Sequence, residues 1–315
     1  MAFVALYPGQ GSQSVGMLAD LAASYPVISH TFSEASDALG YDLWSLAQEG
    51  PAETLSQTEI TQPLLLTAGV ALSRAWSLAG GVEADYACGH SLGEYSALTS
   101  VGAMQLTDAV LVVQARGRYM QQAVPAGTGA MAAVLGLDDE CIERICAEVS
   151  EASGQVVEAV NYNAPGQLVI AGHAAAVEAT LPRLKDAGAK RALPLPVSAP
   201  FHCALMRPAA EQLAERLADV VISVPRAPVI QNVSMVPETE PERIRQQLIA
   251  QTFSPVRWTQ TIQSLDALGV TAAAEFGPGA VLCGLAKRIG TPVAHAALSN
   301  AAQFEQALEQ MRELG

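Results

Sequence analysis

The sequence predicts an α/β fold: a large body built on a mostly parallel sheet covered by helices on both faces, with a smaller βαββαβ unit inserted. Three observations carry this. Short apolar runs alternate with helix-period segments at both ends of the chain. Between Gly127 and Pro196 the order changes to strand, helix, strand, strand, helix, strand. The 315 residues, 50% hydrophobic and only 15% charged, suffice for a sizeable core with little disorder.

Val4-Ala5-Leu6-Tyr7 reads as a buried strand, and Pro8-Gly9-Gln10-Gly11-Ser12-Gln13 as a loop able to approach a ligand closely. It is not a dinucleotide fingerprint, because Ser14 stands where the third glycine belongs. Leu18 to Ala47 is helical with breaks near Pro26 and Gly40, and Thr61 to Leu78 is a further helix kinked or started at Pro63. Thr107 is expected to cap a helix running to Met120 that carries Arg116, closed by Pro125 and Gly127.

Ala130 to Leu135 then reads as a strand, Asp138 to Ala152 as a helix, Val156 to Tyr162 and Gln167 to Ala171 as strands, Ala174 to Ala187 as a helix and Arg191 to Leu195 as a strand. That order is ferredoxin-like and defines an expected insertion of residues 127–196 into a catalytic body of residues 1–126 and 197–315. In the closing third, helices are expected at Met206 to Leu217, Arg243 to Gln251, Trp258 to Leu268, Val281 to Arg288 and Ala301 to Leu314. Val229-Ile230 and Ala272 to Phe276 read as strands, and the last helix should pack on the outside.

Composition narrows the function. A net charge of −14 argues against unspecific nucleic-acid binding, which needs a basic face. Lys185, Lys190 and Arg191, and Lys287 with Arg288, are the sequence-local basic candidates for an acidic partner. Apolar runs such as Ala109 to Val113 are too short to span a bilayer, and Met1 to Tyr7 lacks the basic start of a signal peptide, so a cytoplasmic protein without membrane contact is expected. Five scattered cysteines without Cys-x-x-Cys spacing fit neither a disulfide framework nor a zinc site and are expected to be buried thiols.

The chemistry-bearing stretch is Gly89-His90-Ser91-Leu92-Gly93, after the apolar Tyr86-Ala87-Cys88 and before the helix-prone Glu94 to Leu98. A Gly-x-Ser-x-Gly between strand and helix is a nucleophile elbow, which gives the large body an α/β-hydrolase-like character: a serine on a tight turn, small neighbours that let the backbone pass, and free N–H groups at the helix start. A serine hydroxyl needs a base. Of the five histidines, His30 and His295 lack a motif, His173 sits in the inserted unit, and His90 adjoins Ser91 on a turn that points neighbours apart. His202, in the loop Ser198-Ala199-Pro200-Phe201-His202 at the return from the insertion, is the best candidate. By residue type alone Arg116 reads as a surface arginine.

Gly9-Gln10-Gly11-Ser12-Gln13, Gly89 to Tyr95, Arg116-Gly117-Arg118-Tyr119-Met120, Asn161 to Gln167 and Pro200-Phe201-His202-Cys203 together resemble malonyl-CoA:acyl carrier protein transacylases, in order from Pro8 to Arg288. The resemblance implies that Ser91 is acylated with His202 as its base, that backbone N–H groups of Gln10 and Leu92 hold the oxyanion, and that Arg116 binds the malonyl carboxylate. It further implies that the main-chain carbonyl of Gln251 orients the histidine and that Phe201 marks a malonyl-selective loop. A planar guanidinium suits a carboxylate through two parallel hydrogen bonds. Malonyl-CoA is the implied donor, the phosphopantetheine thiol of an acyl carrier protein the implied acceptor, with no metal or permanently bound cofactor and a monomeric enzyme. The competing readings are a serine thioesterase or hydrolase, for which Asp138, Asp139 and Asp186 lie between Ser91 and His202 in chain order but all fall in the expected insertion, and a non-catalytic carrier-protein docking module. A transacylase of a polyketide or malonate decarboxylase system shares the same catalytic residues.

Overall fold

Residues 2–197 and 199–314 are described by the computed structural model; Met1, Gly315 and Ser198 of the predicted proline loop lie outside the described residues. Strand β1 (Ala2–Tyr7) and strand β2 (Tyr86–Gly89) pair in parallel, with the long helix Thr58–Leu78 between them in sequence. Strands β3 (Gly129–Leu135), β4 (Val157–Ala164), β5 (Gln167–His173) and β6 (Arg191–Pro194) form a separate antiparallel sheet in the order β4-β5-β3-β6. Strands β7 (Val229–Ile230), β8 (Pro237–Glu238), β9 (Val270–Glu275) and β10 (Ala294–Ala297) return to the first sheet, whose order among the described residues is β10-β9-β1-β2-β7-β8. Every pairing in it is parallel except β7 with β8.

Alternation along β1 explains why both faces of this sheet are covered. Phe3, Ala5 and Tyr7 join one core with Leu64, Ala68 and Trp76 of the long helix, whereas Val4 and Leu6 join another with Cys88, Trp258, Ile262 and Leu282. A parallel strand buried on both sides reads as an unbroken apolar run, as Val4 to Tyr7 does. In the smaller sheet, Ala132, Val134, Leu168 and Ile170 pack against Ile142, Ile145 and Val149 of helix Asp139–Ser153 and Val177 of helix Ala174–Asp186. The strand order β4-β5-β3-β6 is the ferredoxin-like arrangement expected from the βαββαβ run. The closing helix Ala301–Leu314 lays Phe304, Ala307, Leu308 and Met311 on the first core, with Phe304 edge-on to Trp76.

Several sequence expectations need correction. Thr107 does not cap its helix, which runs Leu106–Gln122 from Gln105 without a side-chain cap; burial of Leu106 fixes the start. The helix expected from Thr61 begins at Thr58 and contains Pro63. The strands β8 and β10, the latter carrying His295, were not anticipated. Asp138, Asp139 and Asp186 stay on the smaller unit, where Asp138 caps its helix by accepting from the Cys141 N–H at 2.7 Å. Cys88, Cys146, Cys203 and Cys283 are buried thiols, but Cys141 is only half-buried. No helix among the described residues is long and apolar enough to cross a membrane.

The elbow depends on the absence of two side chains. A Cβ on Gly89 would stand 2.0 Å from the Gly93 carbonyl oxygen, and one on Gly93 would stand 2.0 Å from the Tyr7 carbonyl oxygen. Backbone on both sides leaves nothing that could swing away. Gly93→Ala is therefore expected to cost at least about 3 kcal/mol, since relief requires parting helix Gly93–Ser100 from β1. Urea unfolding measures this, and a loss below about 1 kcal/mol would show that the contact relaxes.

Candidate active site

Strand β2 ends at Gly89, and helix Gly93–Ser100 begins four residues later, so Ser91 occupies the turn at φ +53°. Left-handed backbone is costly for a serine and persists only when its surroundings over-determine it. Here they do. Ser91 N–H donates to Asn232 Oδ1 at 2.7 Å, Asn232 Nδ2 donates to the Gly89 carbonyl at 2.6 Å, and Gln251 Nε2 donates to the Ser91 carbonyl at 2.9 Å.

The Ser91 hydroxyl lies 2.7 Å from His202 Nε2, across 111 residues of sequence. His202 is also left-handed, at φ +65°. Its Nδ1 is 2.9 Å from the Gln251 carbonyl oxygen. A carbonyl can only accept, so Nδ1 carries the proton and Nε2 presents its lone pair to the Ser91 O–H. The partner of Nδ1 is thus main chain, and Asp138, Asp139 and Asp186 do not take the position of a triad acid.

Burial, reinforced by the Arg116 guanidinium, pushes the His202 imidazole down to about 3, so it is neutral at neutral pH and its Nε2 lone pair is free. Below about pH 6.5 the unfolded chain takes up a proton here that the folded chain refuses, so stability present above pH 6.5 is lost as pH falls. His202→Asn should therefore lessen the fall in unfolding free energy between pH 7 and pH 5 by about 2 kcal/mol. Urea titrations of both proteins at the two pH values check this; parallel falls would mean that His202 is protonated in the fold.

Arg116, on helix Leu106–Gln122, is 1% exposed, which corrects its reading as a surface residue. Its Nη1 donates to Gln62 Oε1 at 2.8 Å, and its Nη2 donates to Gln251 Oε1 at 2.8 Å and to the Ser91 hydroxyl oxygen at 3.3 Å. The guanidinium carbon stands 5.4 Å from the centre of the Tyr95 ring. The Nε–H has no protein partner among the described residues. Arg118, two residues on, faces a neighbouring cavity with Glu53, Glu59 and Gln121.

Ser91, His202 and Arg116 line a cavity of about 350 Å³ together with Gln10, Leu92 and Phe201. Phe201 packs with Met120 and Met131, which also line it. Among the described residues, neither the Gln10 nor the Leu92 backbone N–H has a protein acceptor. His90 turns away from the hydroxyl, with Nε2 2.8 Å from Asn163 Oδ1 and its ring beside Trp258. The predicted residues Ser91, His202, Arg116, Gln10, Leu92, Phe201 and Gln251 thus converge. Reading the sequence missed Gln62, Glu94 and Asn232 as supports of the site. Glu94 stood within the Gly89 to Tyr95 motif, but Gln62 and Asn232 carried no signal beyond residue type.

A half-buried hydroxyl held on a neutral imidazole, with a buried arginine in the same cavity, suits acyl transfer from a substrate bearing an anionic group. The comparisons agree. Residues 3–311 match the model of the acyl transferase domain family. The malonyl CoA-acyl carrier protein transacylase of Escherichia coli (strain K12) is 54% identical over 307 residues, covering 98% of this chain and 99% of that protein. The solved acyl carrier protein S-malonyltransferase of Vibrio cholerae O1 superposes with a TM-score of 0.94 at 53% identity, covering 97% and 99% of the two chains. A malonyl-transacylase solved in complex with a type II PKS acyl-carrier protein superposes with a TM-score of 0.96 at 51% identity, covering 98% and 100%. With an elbow serine, an imidazole and a buried arginine in one cavity, and a match along nearly its whole length, the chain belongs to the acyl transferase domain family.

Proposed function

We propose that this chain transfers a malonyl group from malonyl-CoA to the phosphopantetheine thiol of an acyl carrier protein, supplying fatty-acid elongation through a malonyl ester of Ser91. The observation that carries the reading is the 2.7 Å contact between Ser91 Oγ and His202 Nε2 in the cavity that also holds the Arg116 guanidinium.

In the first half-reaction His202 Nε2 takes the Ser91 proton as Oγ attacks the thioester carbonyl. The oxyanion is held by the Gln10 and Leu92 N–H groups. When the C–S bond breaks, His202 returns the proton to the departing CoA thiolate. In the second half the carrier's thiol gives its proton to His202 and attacks the ester; collapse expels Ser91, which recovers that proton. No carboxylate is needed at Nδ1, because the Gln251 carbonyl fixes the tautomer. Arg116 clamps the malonyl carboxylate, and Phe201 with Met120 and Met131 narrows the space beside it, disfavouring an α-methyl branch. These side-chain and main-chain groups carry every step of this reading, which assigns no bound cofactor and a monomeric enzyme. Five free thiols fit a reducing cytoplasm. Residues 127–196 form the inserted unit of this reading, carried on a body of residues 1–126 and 197–315.

The carrier docks, in this account, on basic residues at one end of the smaller sheet. Gln167 and Arg191 both pair with Leu135, which sets them two strand spacings, about 10 Å, apart. Arg288 donates to Gln167, so the basic pairs Lys190–Arg191 and Lys287–Arg288 share that end. Reversing Lys190 and Arg191, or Lys287 and Arg288, to glutamate should raise KM for the carrier about tenfold while leaving free pantetheine unaffected as acceptor. Equal effects on both acceptors would remove these residues from docking. CoA release that needs no acceptor thiol would favour a hydrolase instead. The relative solved with a type II PKS carrier supports a second reading, in which the acceptor is a polyketide carrier; kcat/KM for the two kinds of carrier separates them.

A further inference from the structure

Glu94 lies in the first turn of helix Gly93–Ser100, fully buried beneath the elbow. A carboxylate without solvent is costly unless its oxygens are bonded. One oxygen is: Oε2 accepts from the Asn232 N–H at 3.0 Å and from Gln251 Nε2 at 2.9 Å. Oε1 has no partner among the described residues.

The two groups that meet on Oε2 are the supports of the reacting pair. The Asn232 side chain bridges the Ser91 N–H and the Gly89 carbonyl, which fixes the turn. Gln251 holds the Ser91 carbonyl through the same Nε2, takes Arg116 Nη2 on its Oε1, and offers its own carbonyl to His202 Nδ1. Both Ser91 and His202 sit in left-handed backbone that would relax if released.

We propose that Glu94 is a positioning residue whose single Oε2 acceptor locks Asn232 to Gln251 and thereby sets the Ser91 hydroxyl against the His202 imidazole. It stands where a triad acid would be sought in chain order, yet acts on the supports and not on the histidine. Burial pushes its carboxyl up to about 7, opposed by the bonds from Gln251 and Asn232 and by the charge of Arg116. The assignment rests on Ser91 and His202 being the reacting pair.

The test is the labelling rate of Ser91 by a small uncharged fluorophosphonate, which needs the serine and its base but neither a thioester nor the Arg116 clamp. The exponential rate reports on folded molecules whatever their fraction. Glu94→Ala and Glu94→Asp, which remove or withdraw Oε2, should slow labelling about 10²-fold. Glu94→Gln, which keeps an acceptor oxygen at that position, should stay within about tenfold of the parent. If the alanine variant fails to fold, the aspartate variant decides. A role in stability alone would lower the unfolding midpoint while labelling stayed at the parent rate, and that result in either shortened variant overturns the proposal. So does a glutamine variant as slow as alanine. Ser91→Ala separates the two levels: labelling that survives there defeats the serine assignment itself, whereas its loss alongside a fully reactive Glu94→Ala defeats only the positioning role.

Discussion

His202→Ala is expected to lower kcat/KM for malonyl transfer on the order of 10⁴-fold, the upper end of what a positioned base contributes. The serine hydroxyl is un-ionised at neutral pH and gains nucleophilicity only as its proton leaves. Nε2 at 2.7 Å is the acceptor in place for that proton. Arg116 Nη2, at 3.3 Å from the same oxygen, is a donor and cannot substitute. The lost imidazole also deprives the Gln251 carbonyl of its donor, so folded fraction should be measured beside rate. A well-folded variant that lost less than tenfold would contradict the assignment of the base.

Arg116→Ala should reverse donor preference. Two charge-assisted hydrogen bonds to the malonyl carboxylate correspond to about 4 kcal/mol, or roughly 10³-fold in kcat/KM for malonyl-CoA. Acetyl-CoA carries no carboxylate and loses only what the disturbed surroundings cost. Those surroundings matter, because Gln62 Oε1 and Gln251 Oε1 both lose their donor. The ratio of malonyl to acetyl use, measured on one preparation, cancels such common losses. An unchanged ratio would reject the clamp. Arg116→Lys should not restore it, since a single ammonium cannot reproduce a fork that also holds two glutamines.

The parts of the site that were legible in the sequence are those written into local spacing. Gly89, Ser91 and Gly93 announce a tight strand-to-helix turn, and the two backbone contacts at 2.0 Å show why both flanking residues lack side chains. The smaller sheet was legible because the short apolar runs Ala130 to Leu135 and Gln167 to Ala171, separated by a strongly amphipathic helix, leave few alternatives. The strands β8 and β10 were not, being two residues with a proline and a half-buried Ala-His-Ala-Ala. Long-range hydrogen bonds leave no local pattern at all: Asn232 meets Ser91 across 141 residues, and Gln62 meets Arg116 across 54. Arg116 itself read as exposed because burial of a guanidinium depends on acceptors contributed from distant segments. The resemblance to known transacylases supplied what spacing could not.

The central claim is that Ser91 carries the acyl group. Intact mass after brief exposure to malonyl-CoA without acceptor, followed by peptide mapping, tests it most directly. One malonyl group should appear on the peptide containing Ser91, disappear on addition of a carrier-protein thiol, and be absent from Ser91→Ala. A malonyl adduct that persists in Ser91→Ala, or that maps to another residue, would contradict the account.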